Sequence, residues 1–132
     1  MDAGALIALA DDEERPQALV DAALAAGARV TVPAVVVAEW WRGQHGPDPT
    51  AAFVIEATTD ELARKAGIAA GNVDGATAID AIVMASAAER GDTVLTSDFH
   101  DLERLRAHFR EVTVLSVQAP KKSRKTAKTR RR

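Results

Sequence analysis

Residues 78–98 read AIDAIVMASAAERGDTVLTSD. Ile79, Val83 and Met84 recur at helical spacing, no proline interrupts the run, and Gly91 stops it, so a helix is predicted over Ala76 to Arg90. The period then changes. Thr93 to Thr96 is a short run suited to burial on both faces, as in a strand of a parallel sheet. Helix, glycine and strand together are half of a βαβ unit.

The same alternation extends in both directions. Upstream, Ala5 to Ala10 reads as one or two helical turns, Pro16 opens a helix through Ala26 with Gly27 as its stop, and Arg29 to Val32 is a β-branched run. Pro33 starts a helix through Trp41, closed by Gly43, and a loop covers residues 44–50. Phe53 to Glu56 is a second strand, and Thr58 with Glu61 forms a capping box for a helix to about Ala70, ended by Gly71. Downstream, a short helix from about Leu102 to Phe109 precedes a final strand, Val112 to Val117. Strands separated by helices predict an α/β fold of three layers, α/β/α, around a mostly parallel central sheet.

The 132 residues suit one domain, residues 1–118, followed by a basic tail, residues 119–132. The net charge of -2 averages two unlike regions. All 19 acids lie before the tail, whereas Lys121 to Arg132 holds eight basic residues and no acid. The tail has too few apolar residues to join a core. With no cysteine, thiol nucleophiles, disulfides and cysteine zinc sites are excluded, and the cytoplasm is the expected compartment. The longest early apolar run, Ala3 to Ala10, is too short to span a bilayer, so no membrane association is expected.

Phosphate-cradling glycine motifs and a G-x-S-x-G elbow are absent. His45, His100 and His108 are too scattered for a zinc set and read as surface residues. Carboxylates remain. Asp80 sits beside Ile79, Val83 and Met84, on or next to an apolar stripe; Glu39 follows Val35 and Val36 and is expected on a helix edge turned inward. Asp98 comes just after the Thr93 to Thr96 strand, where open parallel sheets place their ligand crevices, and Asp2 would end a first strand. Each also has a plain structural role open to it, as a cap, a surface charge or half of an ion pair with Arg42 or Arg90. Carboxylates that converge repel one another unless a cation neutralises them, and oxygen-only ligands select a hard ion, Mg²⁺ or Mn²⁺. The chemistry such an ion supports is phosphodiester hydrolysis.

The runs DAGALIAL from Asp2, VVVAEWWRG from Val35, AIDAIVMASAAERG from Ala78 and VLTSDFHDL from Val94 resemble the PIN-domain ribonucleases of the VapC toxin type, over nearly all of residues 1–118. The resemblance implies that Asp2, Glu39, Asp80 and Asp98 hold Mg²⁺ or Mn²⁺ and that Thr96 orients a carboxylate or water. It adds Asp101, ligating through water or else capping the last helix, and Arg42, reaching substrate phosphate or else pairing with an acid. It further implies an RNA substrate, a homodimer and a small antitoxin protein that blocks the acidic crevice. Trp40 and Trp41 are then core and dimer packing. Two departures are visible. Only Met1 precedes Asp2, so the first strand is either shortened or begins upstream, and Gly4 stands where the resembled proteins carry Ser or Thr.

In the tail, Lys121, Lys122, Arg124 and Lys125 are candidates for nonspecific contact with RNA phosphates, against the alternative of a solvated tail without a role. Two rival readings belong to other classes. One is a PIN-like RNA-binding module without hydrolysis. The other is a receiver-type metal-binding signalling domain, disfavoured because Gln118 and Ala119, not lysine, follow the last strand.

Overall fold

The computed structural model describes residues 1–42 and 48–118. In chain order they form α1 (Ala3–Ala10), α2 (Glu14–Ala25), β1 (Thr31–Pro33), α3 (Ala34–Trp40), a 3-10 turn (Pro49–Ala52), β2 (Val54–Glu56), α4 (Asp60–Asn72), α5 (Ala78–Ala88), β3 (Thr93–Thr96), α6 (Phe99–Leu105) and β4 (Thr113–Ser116). The chain is therefore mixed α/β with parallel strands. Gly43, His45 and the tail residues Lys121, Lys122, Arg124 and Lys125 lie outside the described residues.

Local chemistry sets most boundaries. The Thr77 hydroxyl accepts a hydrogen bond from the Asp80 backbone nitrogen at 3.1 Å, so α5 starts two residues later than its apolar periodicity suggests. Gly91, at φ +65°, ends the connection to β3. The helix α4 is capped by Thr59 rather than Thr58, its hydroxyl accepting from Leu62 nitrogen at 3.1 Å, and it runs through Gly71 to Asn72. α6 begins at Phe99, directly after the strand-ending turn, three residues before the apolar pattern alone places it.

The expected single central sheet is instead divided. β1 pairs in parallel with β2, Thr31 opposite Val54, and β3 pairs in parallel with β4, Thr93 opposite Thr113. What spans the gap is the first two residues. The Met1 amino group donates to the Thr31 carbonyl at 3.3 Å, and the Asp2 nitrogen donates to the Leu95 carbonyl at 3.2 Å. Below them lies a cavity of about 330 Å³, walled by Thr31, Val83, Ala87, Val94 and Leu95, with Leu19 and Ala23 of α2. Burial in this wall pushes the Met1 ammonium from 8.0 down to about 6.

α5 is the central helix of the packing. Its Ala81, Val83, Met84, Ala85 and Ala87 are buried, and it packs on α4, α6, α3, β1 and β3. Leu6, Met84, Leu102 and Leu105 are fully enclosed, each contributing about 1.5–3 kcal/mol relative to exposure. A polar clamp closes the side of the fold near the cavity. Glu56 at the end of β2 accepts from Ser86 Oγ at 2.6 Å and from Arg90, whose Nε donates to Asp92 at 2.7 Å. Arg90 thus pairs with Glu56 and Asp92, leaving Asp80 alone. Among the described residues no helix is long and apolar enough to cross a membrane.

Candidate active site

Asp2 is the most constrained of the acids. Only 5% exposed, it caps α1: its Oδ1 accepts from the Ala5 nitrogen at 2.8 Å, while its Oδ2 accepts from the Thr96 hydroxyl. Thr96 is itself fully buried, and its oxygen accepts from the Asp98 backbone nitrogen at 2.8 Å. One hydroxyl at the carboxyl end of β3 therefore joins Asp2 to Asp98, 94 residues apart for the Asp2 contact.

Asp98 occupies the position before α6, yet its side chain makes no cap hydrogen bond, so the capping role open to it is not used. Asp80 lies in the first turn of α5, half-buried, where the helix N-terminus favours negative charge. Burial pushes the carboxyl groups of Asp2 and Asp80 above their ordinary 3.8, and the neighbouring negative charges add to it: Asp98 for Asp2, and Asp2, Asp101 and Asp98 for Asp80. The Thr96, Ala5 and amino-terminal contacts of Asp2 and the Thr77 hydroxyl beside Asp80 act in the opposite sense. Among the described residues, none of Asp2, Asp80 and Asp98 has an ion-pair partner.

Other candidates fall elsewhere. Glu39 is exposed, contrary to its expected inward edge: Val36 and Trp40 form the buried seam of α3, and Glu39 lies one position round from it. Its charge is not among those acting on Asp2 or Asp80. Arg42 does not pair with an acid among the described residues. Its Nε donates to the Glu39 carbonyl at 3.3 Å, satisfying a free carbonyl at the end of α3. Asp101 is in the first turn of α6 rather than at its cap and pairs with Arg104 at 2.9 Å. Trp40 is buried as expected, with Trp41 edge-on at 5.4 Å and 47% exposed. His100 and His108 are exposed.

Sequence reasoning passed over two neighbours of the acids. Ser97 lies between Thr96 and Asp98, and its hydroxyl fills the space beside Gly4. Arg15 reaches from α2 to the end of β4, a contact across 101 residues with no local signature. A cleft of about 720 Å³ is lined by both, and by Asp98 and Asp101, but not by Asp2 or Asp80.

The donor chemistry suits a hard divalent cation: carboxylate oxygens, those of Asp2 buried, of Asp80 half-buried and of Asp98 on an exposed residue, none of them ion-paired among the described residues. Their positions are looser than a ligand set, since among the described residues no three acidic or histidine side chains are grouped closely enough to hold one ion. No protein-family model matches the chain, and no curated protein matches it.

Proposed function

We propose that the chain is a PIN-like endoribonuclease of three-layer α/β/α build that hydrolyses RNA phosphodiester bonds with Mg²⁺ or Mn²⁺. The observation that supports the reading is that Asp2 and Asp98 meet on the Thr96 hydroxyl at the carboxyl end of β3, that their charges act on Asp80, and that none of the three is ion-paired among the described residues. Such uncompensated negative charge is costly in a structure built only for stability.

Asp2, Asp80 and Asp98 would supply oxygens to the ion, with Asp101, whose charge also acts on Asp80, beside them; the Glu39 charge is not among those acting on Asp2 or Asp80. When bound, a divalent ion lowers the pKa of a water and neutralises charge on phosphoryl oxygens. The chain's own residues prepare for this. Thr96 and the Ala5 nitrogen hold the Asp2 carboxylate in one orientation and still leave a lone pair on each oxygen. Thr96 also fixes the backbone on which Asp98 is carried. Burial of Thr96 keeps water from competing for its hydroxyl.

The resemblance of the sequence motifs supports the wider setting: a toxin acting in the cytoplasm, paired in a homodimer and restrained by a cognate antitoxin. The exposed Trp41, Val54 and Ile55 supply apolar surface for such partners. The test is incubation of labelled RNA with purified protein and Mn²⁺, with EDTA and Asp80→Asn as controls. Cleavage that vanishes in both controls is expected. Equal cleavage by the variant would reject Asp80 as part of the site.

A further inference from the structure

The cleft beside the acids differs from them in chemistry. Its walls come from the start of α2, the turn between β3 and α6, and β4. Arg15 Nε donates to the Ser116 carbonyl at 3.2 Å, which fixes the guanidinium plane and uses one of its five N–H donors. Neither terminal amino group of Arg15 has a partner among the described residues. Arg64, Arg90, Arg104 and Arg106 are each paired with an acid, whereas Arg15, like Arg29, Arg42 and Arg110, has no ion pair among the described residues. Of these four, Arg15 alone lines the cleft, its fork oriented by a backbone carbonyl in the cleft wall.

The same cleft holds an aromatic pair. Phe99 and His100 stand edge to face, centroids 5.7 Å apart at 81°, Phe99 half-buried and His100 exposed. A pinned guanidinium suits a phosphate, and a ring surface suits a base that has left its stack. Asp98 and Asp101 line the cleft too, so an anion could settle there only where the neighbouring carboxylates are neutralised or where its own chain is held by several contacts. Gln118, the last described residue, also lies in this wall.

We infer that this cleft is a nucleotide subsite for single-stranded RNA, in which Arg15 holds one backbone phosphate and the Phe99–His100 pair receives the adjoining base. The inference rests on the nuclease reading and gives the substrate a path, from the acids along the β4 side of the fold. It excludes a duplex at this point, because a paired base keeps its faces covered by stacking.

The experiment uses the full chain and a fluorescein-labelled single-stranded RNA of about ten nucleotides, a length on the scale of single-strand binding sites. Anisotropy is read in EDTA, so that binding is separated from cutting, over a range of salt. Arg15→Gln is expected to weaken binding about tenfold and to reduce the salt slope by about 0.7, the loss of one phosphate contact on a single strand. His100→Ala, at an exposed position, is expected to weaken binding about fivefold with an unchanged slope. Gln118→Glu covers the case in which Arg15→Gln does not fold: a new negative charge on an exposed residue of the cleft wall is expected to weaken binding severalfold. Wild-type affinity and slope in folded Arg15→Gln, or in Gln118→Glu, overturn the subsite. Binding that depends on Arg15 without Mn²⁺-dependent cleavage by the wild type overturns the nuclease reading and keeps the subsite. Cleavage with an unchanged KM in Arg15→Gln does the reverse, and absence of RNA binding by the wild type overturns both.

Discussion

Gly4 and Ser97 share one space. A Cβ built on Gly4 would lie 1.6 Å from Ser97 Oγ and 3.8 Å from Asp2 Oδ1, so the glycine is what admits the serine hydroxyl to the neighbourhood of the first acid. The motif resemblance leads one to expect a hydroxyl at residue 4; the fold supplies one from residue 97. Gly4→Ser is therefore expected to destabilise by about 1–3 kcal/mol through overpacking. The double variant Gly4→Ser with Ser97→Gly is expected to recover most of that loss and to return the hydroxyl to the first helix. Thermal melts of the four corners of the cycle measure the coupling, and additive losses would refute it.

The cavity between the two sheets has strand edges on both sides and Met1 at its head. Placing Val-Ile-Val before Met1 should extend the bridge into a strand, each buried side chain adding about 1.5–3 kcal/mol. A Gly-Ser-Gly extension serves as the control. Equal melting points for the two extensions would show that the cavity accepts no strand.

The Met1 ammonium gives that idea a pH signature. Its folded pKa of about 6 lies below the ordinary 8.0, so between these values the unfolded chain binds more protons. Stability should then rise as pH increases from 6 to 8 and level off above, by the linkage relation. In the Val-Ile-Val variant the nitrogen is an amide and this slope should vanish. Urea midpoints at pH 6, 7 and 8 are the measurement.

Asp80 carries the opposite linkage. Its folded pKa is raised above 3.8, so the folded state binds more protons in the window just above that value, and stability falls as pH rises through it. Asp80→Asn removes the repulsion from Asp2, Asp98 and Asp101, and is expected to raise the melting point at pH 7 while removing cleavage. Millimolar Mn²⁺ should raise the melting point of the wild type more than that of the variant. A destabilised Asp80→Asn would mean the carboxylate serves the fold rather than the site.

The Glu56–Ser86–Arg90–Asp92 clamp is structural. Arg90→Ala should cost about 1–3 kcal/mol by stranding Ser86 and Glu56, nearer the lower figure because water screens a partly exposed pair. The Arg90 side chain keeps 35% of its exposure. RNA cleavage measured well below the melting point should be unchanged.

The parts of this molecule that sequence makes legible are the local ones. The α5–Gly91–β3 unit follows from periodicity and a stop residue, and Asp80 and Asp98 follow from their places on it. Glu39 misled because a seven-residue helix has room for one buried seam, and the choice between Val35 and Val36 as its origin depends on what packs against it. The division of the sheet, the Gly4–Ser97 exchange and the placing of Arg15 all depend on residues far apart in the chain, where spacing carries no information. Thr58 and Thr59 differ only in which hydroxyl reaches the helix, and both fit the same pattern.

Because Asp2 is oriented by a hydroxyl 94 positions later, the acidic centre cannot come together during synthesis until β3 has emerged from the ribosome. Until then a growing chain has its first acid unplaced, and on the proposed nuclease reading it has no cutting power. On that reading the delay protects the message and the machinery producing it.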